Sequence, residues 1–209
     1  MSNGIRLYRD VDVKLNVYIF VVYIYLYRYI INGCEVLTVN SDIVDLPACG
    51  IVFEELKVNG VRVIIRGACI SDRDKLVGFL ESLDLDTIYS RFHHVIKYFK
   101  SYVDNLIEGR AVVIVAEVNN RVVGMAEAVS YKIDSVEVGV VVAREYRRRG
   151  LGMALSRSLA RVCRELGVKR LIAYTRRSNI PAIMIAQKFN ASIRPSEEPD
   201  MIVIEAYIS

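Results

Sequence analysis

The fold of this chain is decided by residues 137–152, which read EVGVVVAREYRRRGLG. The first half of this stretch is rich in valine, which favours a strand, and the residues after it have the apolar period of an amphipathic helix. The turn between them has the pattern Arg147-x-x-Gly150-x-Gly152. Glycines let backbone N–H groups approach a ligand closely, and a helix N-terminus attracts negative charge. The stretch therefore predicts a pyrophosphate site.

Regular elements extend on both sides of this turn. The sequence patterns predict strands at 61–66, 112–118, 122–130, 135–142, 170–175 and 201–208. They predict helices at 71–83, 87–106, 151–166 and 179–189. The resulting order, β-α-α-β-β-β-α-β-α-β, describes one α/β domain over residues 61–209, preceded by an extension of 60 residues.

The strand, the R-x-x-G-x-G turn and the helix, in this order, resemble the acetyl-CoA signature of the GNAT superfamily of N-acetyltransferases. The element order is similar too, and Asn179-x-x-Ala182 lies where GNAT helices carry a cofactor-contacting asparagine. The resemblance covers about residues 61–194. It implies the GNAT fold, a mixed and mostly antiparallel central sheet flanked by helices.

This resemblance implies a binding site for acetyl-CoA as cosubstrate, with no metal. Backbone N–H groups at the end of the strand are expected to bind the pantetheine arm like an added strand, and the turn to hold the phosphates. The implied cofactor-binding residues are Val140, Val141, Val142, Arg147, Arg148, Arg149, Gly150, Leu151, Gly152, Met153 and Asn179. Asn179 is also a good helix N-cap, a role compatible with the first.

A narrower resemblance concerns the catalytic residue and the acceptor. Residues 74–92 are similar to the opening of the acetyltransferase domains of Pat-type protein lysine acetyltransferases, which carry a glutamate ten residues before the turn. Glu137 stands ten residues before Arg147. The resemblance implies that Glu137 is the general base and that a protein lysine accepts the acetyl group. The alternative for Glu137 is a solvent-facing or salt-bridged strand residue.

The chain departs from the wider family on the last helix. Many GNAT enzymes place a tyrosine seven residues after the asparagine, where it protonates the leaving thiolate, but here that position is Ala186. Pat-like domains commonly lack this tyrosine as well. Two other functions therefore stay open: acetylation of a small amine or a protein α-amino group, and a non-catalytic acyl-CoA sensor.

Net charge is concentrated near the turn. The whole chain carries +4, residues 1–60 carry −2 and residues 61–209 carry +6. The segment 144–177 alone holds ten arginines and one lysine against two glutamates, a net +9. This local excess suits the phosphates of CoA, so no direct binding of nucleic acid is expected.

Composition limits the class of protein. With 53% hydrophobic and 25% charged residues, a disordered chain is excluded. The uncharged run 17–27 is shorter than the roughly 20 residues of a spanning helix, so a membrane anchor is not expected. The four cysteines, Cys34, Cys49, Cys69 and Cys163, form no CxxC pair and are expected to be reduced thiols of a cytoplasmic protein. The sequence is compatible with a homodimer.

Three polar residues of the second helical region have weaker interpretations. His93 and His94 are expected to be structural or surface residues. Arg91 has two interpretations that the sequence leaves open: it pairs with an acidic substrate, or it caps its own helix.

Overall fold

The structure is a computed structural model that describes residues 46–92, 98–132 and 134–208, with the backbone alone at 131 and 132. Four features singled out above, the run 17–27, Cys34, His93 and His94, lie outside the described residues.

In the described part of the chain, eight strands form a single sheet in the order β1-β2-β3-β4-β5-β6-β8-β7. All neighbouring strands are antiparallel except β5 and β6, which run parallel. This confirms the mixed, mostly antiparallel sheet predicted from the sequence. The strands are β1 (Val52–Val58), β2 (Val61–Gly67), β3 (Val112–Val118), β4 (Arg121–Lys132), β5 (Ser135–Val142), β6 (Arg170–Arg176), β7 (Ser192–Pro195) and β8 (Met201–Tyr207).

Among the residues that the structure describes, five helices flank the sheet: α1 (Arg73–Glu81), α2 (Leu85–Phe92), α3 (Phe99–Glu108), α4 (Leu151–Glu165) and α5 (Ile180–Lys188). Side chains alternate between the two faces of each strand, so the sheet has an apolar core on each side. Val113 and Val115 of β3 face α1, α2 and α3, whereas Ile114 faces α4. Short 3₁₀ helices precede α1 and the R-x-x-G-x-G turn.

The structure differs from the predicted elements in three places. The predicted helix 87–106 is two helices, α2 and α3, with residues 93–97 between them undescribed. Strand β1 lies before residue 61 and pairs with β2, and the four-residue strand β7 was not predicted. Both missed strands are at sheet edges. β7 is exposed along its whole length, and a bulge between Val52 and Glu54 interrupts β1, so neither sequence shows the regular apolar alternation of a half-buried strand.

The expectation that all four cysteines are thiols is wrong. Cys49 and Cys69 form a disulfide, because the β1–β2 hairpin brings its two flanks together and Cys49 bridges to Gly67. A separation of 20 residues has no sequence signature that could have revealed this pair. Disulfides occur in exported proteins and in intracellular proteins of hyperthermophiles, so the cysteines no longer support a cytoplasmic location.

Cys163 agrees with the expectation. It is free and buried, and burial raises the pKa of its thiol to about 12. A thiol with so high a pKa is chemically inert near neutral pH.

Breaking the disulfide is expected to lower the free energy of unfolding. A cross-link that closes a loop of this length stabilises a protein by about 3 kcal/mol, mainly by restricting the unfolded chain. Urea unfolding with and without reductant measures the difference. A Cys49→Ser variant should show the lower stability in both conditions, and an unchanged unfolding midpoint after reduction of the wild type would contradict the prediction.

Among the described helices, none has both the length and the apolar character that crossing a membrane requires.

Candidate functional site

The main opening in the sheet lies between the two parallel strands. β5 and β6 pair at Ser135↔Arg170, Val136↔Leu171 and Glu137↔Ile172, and the pairing ends there. Beyond this point β5 stays paired with β4 as far as Val142, while β6 stays paired with β8 as far as Arg176. The two strands therefore separate after Glu137 and leave a cleft.

The β5 side of this cleft presents backbone groups to a ligand. Ala143 donates its N–H to the Val123 carbonyl of β4, whereas the carbonyl of Val142 points the other way and accepts from Arg147 Nε at 2.8 Å. Backbone groups alternate in direction along a strand, so those of Val138 and Val140 face the cleft. An extended chain could pair with them as an added strand does.

The turn after β5 leads directly into α4. Gly150 has a φ of 83°, a left-handed conformation that glycine adopts without steric cost. It is the N-cap of α4, and no side chain caps the first N–H groups of this helix. Leu151 is buried and anchors the helix start, while Gly152 and Met153 are half-buried. The helix N-terminus is thus suited to an anion.

The three consecutive arginines of the turn have different roles in the structure. The Arg147 side chain donates to the Val142 carbonyl and to the Thr87 hydroxyl of α2, although the residue is exposed overall. Arg148 and Arg149 are exposed. In the described ranges neither has an ion-pair partner, so both are available to a phosphate beside the N-terminus of α4.

Asn179 is engaged within the protein. Its Oδ1 accepts from the Ala182 N–H at 3.3 Å, and its Nδ2 donates to Thr175 Oγ1 at 2.8 Å. The residue therefore caps α5 and ties this helix to the end of β6. The structure thus shows the capping role that the sequence allowed. Nearby Ala186 is buried against Ile202 and Ile204 and offers no proton donor.

Glu137 lies where β5 and β6 part. It is half-buried, and it shares a strand face with Gly139 and Val141. Val141 packs in the core under α1–α3, so this face is the one those helices cover. The structure therefore places a carboxylate at the cleft, next to the free β5 edge.

A buried polar cluster lies beside Glu137, and the sequence analysis missed its central residue, Glu127 of β4. Glu127 is only 2% exposed. It forms an ion pair with Arg91 of α2 and accepts a hydrogen bond of 2.9 Å from the Tyr102 hydroxyl of α3. The pairing of Arg91 with Glu127 differs from both interpretations drawn from the sequence, a helix cap and a partner for an acidic substrate. We call Arg91, Glu127 and Tyr102 the Arg91 cluster.

The Arg91 cluster depends on Gly139. The β4–β5 register places Gly139 directly opposite Glu127, and a Cβ on Gly139 would lie 1.6 Å from Arg91 Nη2. A glycine is therefore needed for the guanidinium to lie against the strand. One signal in the sequence could have revealed Glu127: like Glu137, it is a lone carboxylate in an apolar strand.

Charge and burial have opposite effects on the cluster. Burial lowers the pKa of the Arg91 guanidinium, and the charges of Tyr102 and Glu137 oppose that shift. Burial also raises the pKa of Tyr102, against the effect of Arg91, so the tyrosine remains a hydroxyl donor at neutral pH. Glu137 is therefore electrostatically coupled to the Arg91 cluster.

Helix α2 covers the cleft and is attached at both sides. Thr87 bonds to Arg147 of the turn, and Asp84 lies 3.9 Å from Arg144. Towards β6, the Arg176 guanidinium lies 4.5 Å from the centre of the Tyr89 ring, within the range of a cation–π contact. The helix therefore links the R-x-x-G-x-G turn to the opposite wall of the cleft. Among the described residues, no group of three His, Cys, Asp or Glu side chains could hold a metal.

Comparison with known proteins agrees with this geometry. Residues 78–190, more than half of the chain, match the model of the acetyltransferase (GNAT) family. The GNAT domain of PAT from S. lividans has a similar structure, with a TM-score of 0.64 and 19% identity, covering 74% of this chain and 96% of that one.

Two further solved structures are similar. One is yncA from Salmonella typhimurium with its cofactor acetyl-CoA, which has a TM-score of 0.59 and 16% identity over 70% of this chain and 94% of that one. The other is the ribosomal-protein-alanine N-acetyltransferase from Brucella melitensis. It has a TM-score of 0.56 and 20% identity, covering 68% of this chain and 98% of that one. These similarities concern the fold.

Proposed function

Because the chain belongs to the GNAT family of acetyltransferases, we propose that it transfers the acetyl group of acetyl-CoA to a protein lysine, with Glu137 as general base. The observation that carries the proposal is the position of Glu137. Its half-buried carboxylate lies where β5 separates from β6, beside the unpaired edge of β5.

Acetyl-CoA fits the cleft and the turn. Its pantetheine arm, an extended chain with two amides, would pair with the backbone of Val138 and Val140. Its pyrophosphate would lie at the N-terminus of α4, with Arg148 and Arg149 within reach of the phosphates. The thioester would then lie near Glu137, and one of the free N–H groups of β5 would stabilise the oxyanion that forms on its carbonyl.

The reaction requires a neutral amine. A free lysine has a pKa of about 10.4, so its neutral form at pH 7 costs about 4.6 kcal/mol. The amine nitrogen attacks the thioester carbonyl carbon, and Glu137 takes its proton directly or through water. The C–S bond then breaks, and CoA leaves as a thiolate. A thiol with a pKa near about 8.5 is a tolerable leaving group, so the absence of a hydroxyl at Ala186 does not prevent the reaction.

The choice of a protein lysine has two supports. Residues 74–92 are similar to the opening of Pat-type domains, and the fold is similar to that of the S. lividans PAT domain. The alternative acceptors are a small amine and a protein α-amino group. A non-catalytic acyl-CoA sensor is the remaining alternative, and Ala186 is the residue that favours it.

Thiol release from acetyl-CoA tests the proposal. We expect release with a lysine-rich protein to exceed release with a small polyamine or a peptide whose only amine is its N-terminus. Mass spectrometry after incubation with the protein's own cell extract should then find acetyl groups on lysine side chains. Binding of acetyl-CoA without thiol release on any amine would contradict the enzyme proposal and favour the sensor.

A further inference from the structure

We propose that Arg91 is a positioning residue for Glu137, the proposed base, and that Glu127 and Gly139 hold its guanidinium in place between the two carboxylates. This inference rests on the proposed function and extends it to a helix that the turn motif does not include.

The sheet register brings the two carboxylates close together. Glu127 is opposite Gly139, and Glu137 lies two residues before Gly139 on the same face. The two glutamates are therefore diagonal neighbours on adjacent strands, with Cβ atoms about 7–8 Å apart. The Arg91 guanidinium occupies the space that the missing Gly139 side chain leaves, so it is nearer to Glu137 than Glu127 is.

The Arg91 guanidinium has donors beyond those that Glu127 uses. The Arg91 side chain is 19% exposed and that of Glu127 is 3% exposed, so their attraction is weakly screened by solvent. Arg91 also has a buried Nε without a hydrogen-bond partner in the described structure. Glu127 therefore does not use all the donors of Arg91, and a charged face of the guanidinium remains available beside Glu137.

Several other titratable groups face Glu137. Tyr102 lies on α3, and its hydroxyl bonds to Glu127. Arg170 and Tyr174 lie on the same face of β6 as Ile172, the partner of Glu137, and Glu205 lies opposite Ile172 on β8. Arg170 pairs with both Asp134 and Glu205, so these charges largely offset one another. Arg91 is thus the cation that lies against β5 at Gly139, two residues from Glu137.

A positive charge held beside Glu137 favours the ionised carboxylate, which is the form that accepts a proton from the amine. The negative charge of Glu127 limits this effect, because it opposes the charge of Arg91. Removing Arg91 and removing Glu127 should therefore shift the pH dependence of the reaction in opposite directions. A purely structural role predicts no shift in either direction.

The test is the pH profile of kcat/KM for the amine at saturating acetyl-CoA. In Arg91→Met we expect the ascending limb that reports the base to move up by about one pH unit. In Glu127→Gln, which removes the more distant charge, we expect the limb to move down by a smaller step, about half a pH unit. Arg91→Lys, which keeps the charge, should restore most of the wild-type position. The limb of the lysine substrate itself, near about pH 10.4, should not move in any variant.

The double variant Arg91→Met with Glu127→Gln keeps the test decisive if a single variant does not fold, since it leaves no unpaired buried charge. Because Arg91 is nearer to Glu137 than Glu127 is, the ascending limb of the double variant should lie between those of the wild type and Arg91→Met. A limb at the wild-type position would overturn the proposal. Arg62→Met, which removes an exposed arginine paired with Glu55, is the matched control and should leave the limb unchanged.

Failure of this inference is distinguishable from failure of the proposed function. Full turnover in Glu137→Gln would remove Glu137 as base. Loss of turnover in Glu137→Gln, together with an unmoved limb in Arg91→Met, would overturn only the positioning role of Arg91.

Discussion

Replacing Glu137 by glutamine is expected to reduce turnover about 100- to 10,000-fold, the usual contribution of a positioned general base. Glutamine has nearly the same shape, but it cannot accept the proton of the attacking amine. Acetyl-CoA affinity should stay near that of the wild type, because the groups that would bind it are the β5 backbone, the turn and the start of α4. Steady-state kinetics and calorimetric binding of acetyl-CoA separate the two quantities.

The pH dependence of this variant adds a second readout. At high pH the lysine amine is neutral without help from a base. We therefore expect the activity of Glu137→Gln to rise steeply towards about pH 10. Glu165→Gln serves as the control, since Glu165 is an exposed residue at the end of α4. Unchanged turnover in Glu137→Gln at pH 7 would contradict the base assignment.

The second large effect concerns stability. Replacing Glu127 by glutamine is expected to lower the free energy of unfolding by about 3–5 kcal/mol, since it leaves the Arg91 guanidinium buried and without its partner charge. Burial already lowers the pKa of Arg91, so this cation has little solvent to replace the lost carboxylate. Denaturant unfolding followed by circular dichroism measures the loss.

Two comparisons separate charge from packing in this experiment. The double variant Arg91→Met with Glu127→Gln should lose clearly less stability than Glu127→Gln alone, because it removes both charges. Glu55→Gln breaks an exposed ion pair with Arg62 and should change stability little. Equal losses in the single and double variants would show that the ion pair does not stabilise the fold as we infer.

The sequence predicted the elements that carry strong local signals. The valine-rich strand, the R-x-x-G-x-G turn and the amphipathic helix α4 are local patterns, and the structure has each of them near its predicted position. The mixed, mostly antiparallel sheet followed from the family resemblance. Strands β1 and β7 were missed because a bulge interrupts the alternation of β1 and β7 is exposed along its whole length.

The candidate site shows the same division. Glu137 was found because it is a lone carboxylate at a fixed spacing from the turn. Glu127 has the same local character, but no motif distinguishes it, and its partner Arg91 lies 36 residues away. Likewise, the hydrogen bonds of Arg147 with Val142 and Thr87 join the turn to α2, a contact 60 residues apart that the turn motif does not reveal, and its role at the cofactor stays a prediction.

The sequence by itself thus determined the family, the position of the R-x-x-G-x-G turn and the candidate base, since each depends on residues close together in the chain. Only the tertiary structure decided the disulfide between Cys49 and Cys69 and the pairing of Arg91 with Glu127. Both depend on which distant residues the sheet register brings into contact, and that register is set by the packing of the whole domain. Gly139 is the clearest case, because the need for a glycine at this strand position follows only from the Arg91 side chain that lies over it.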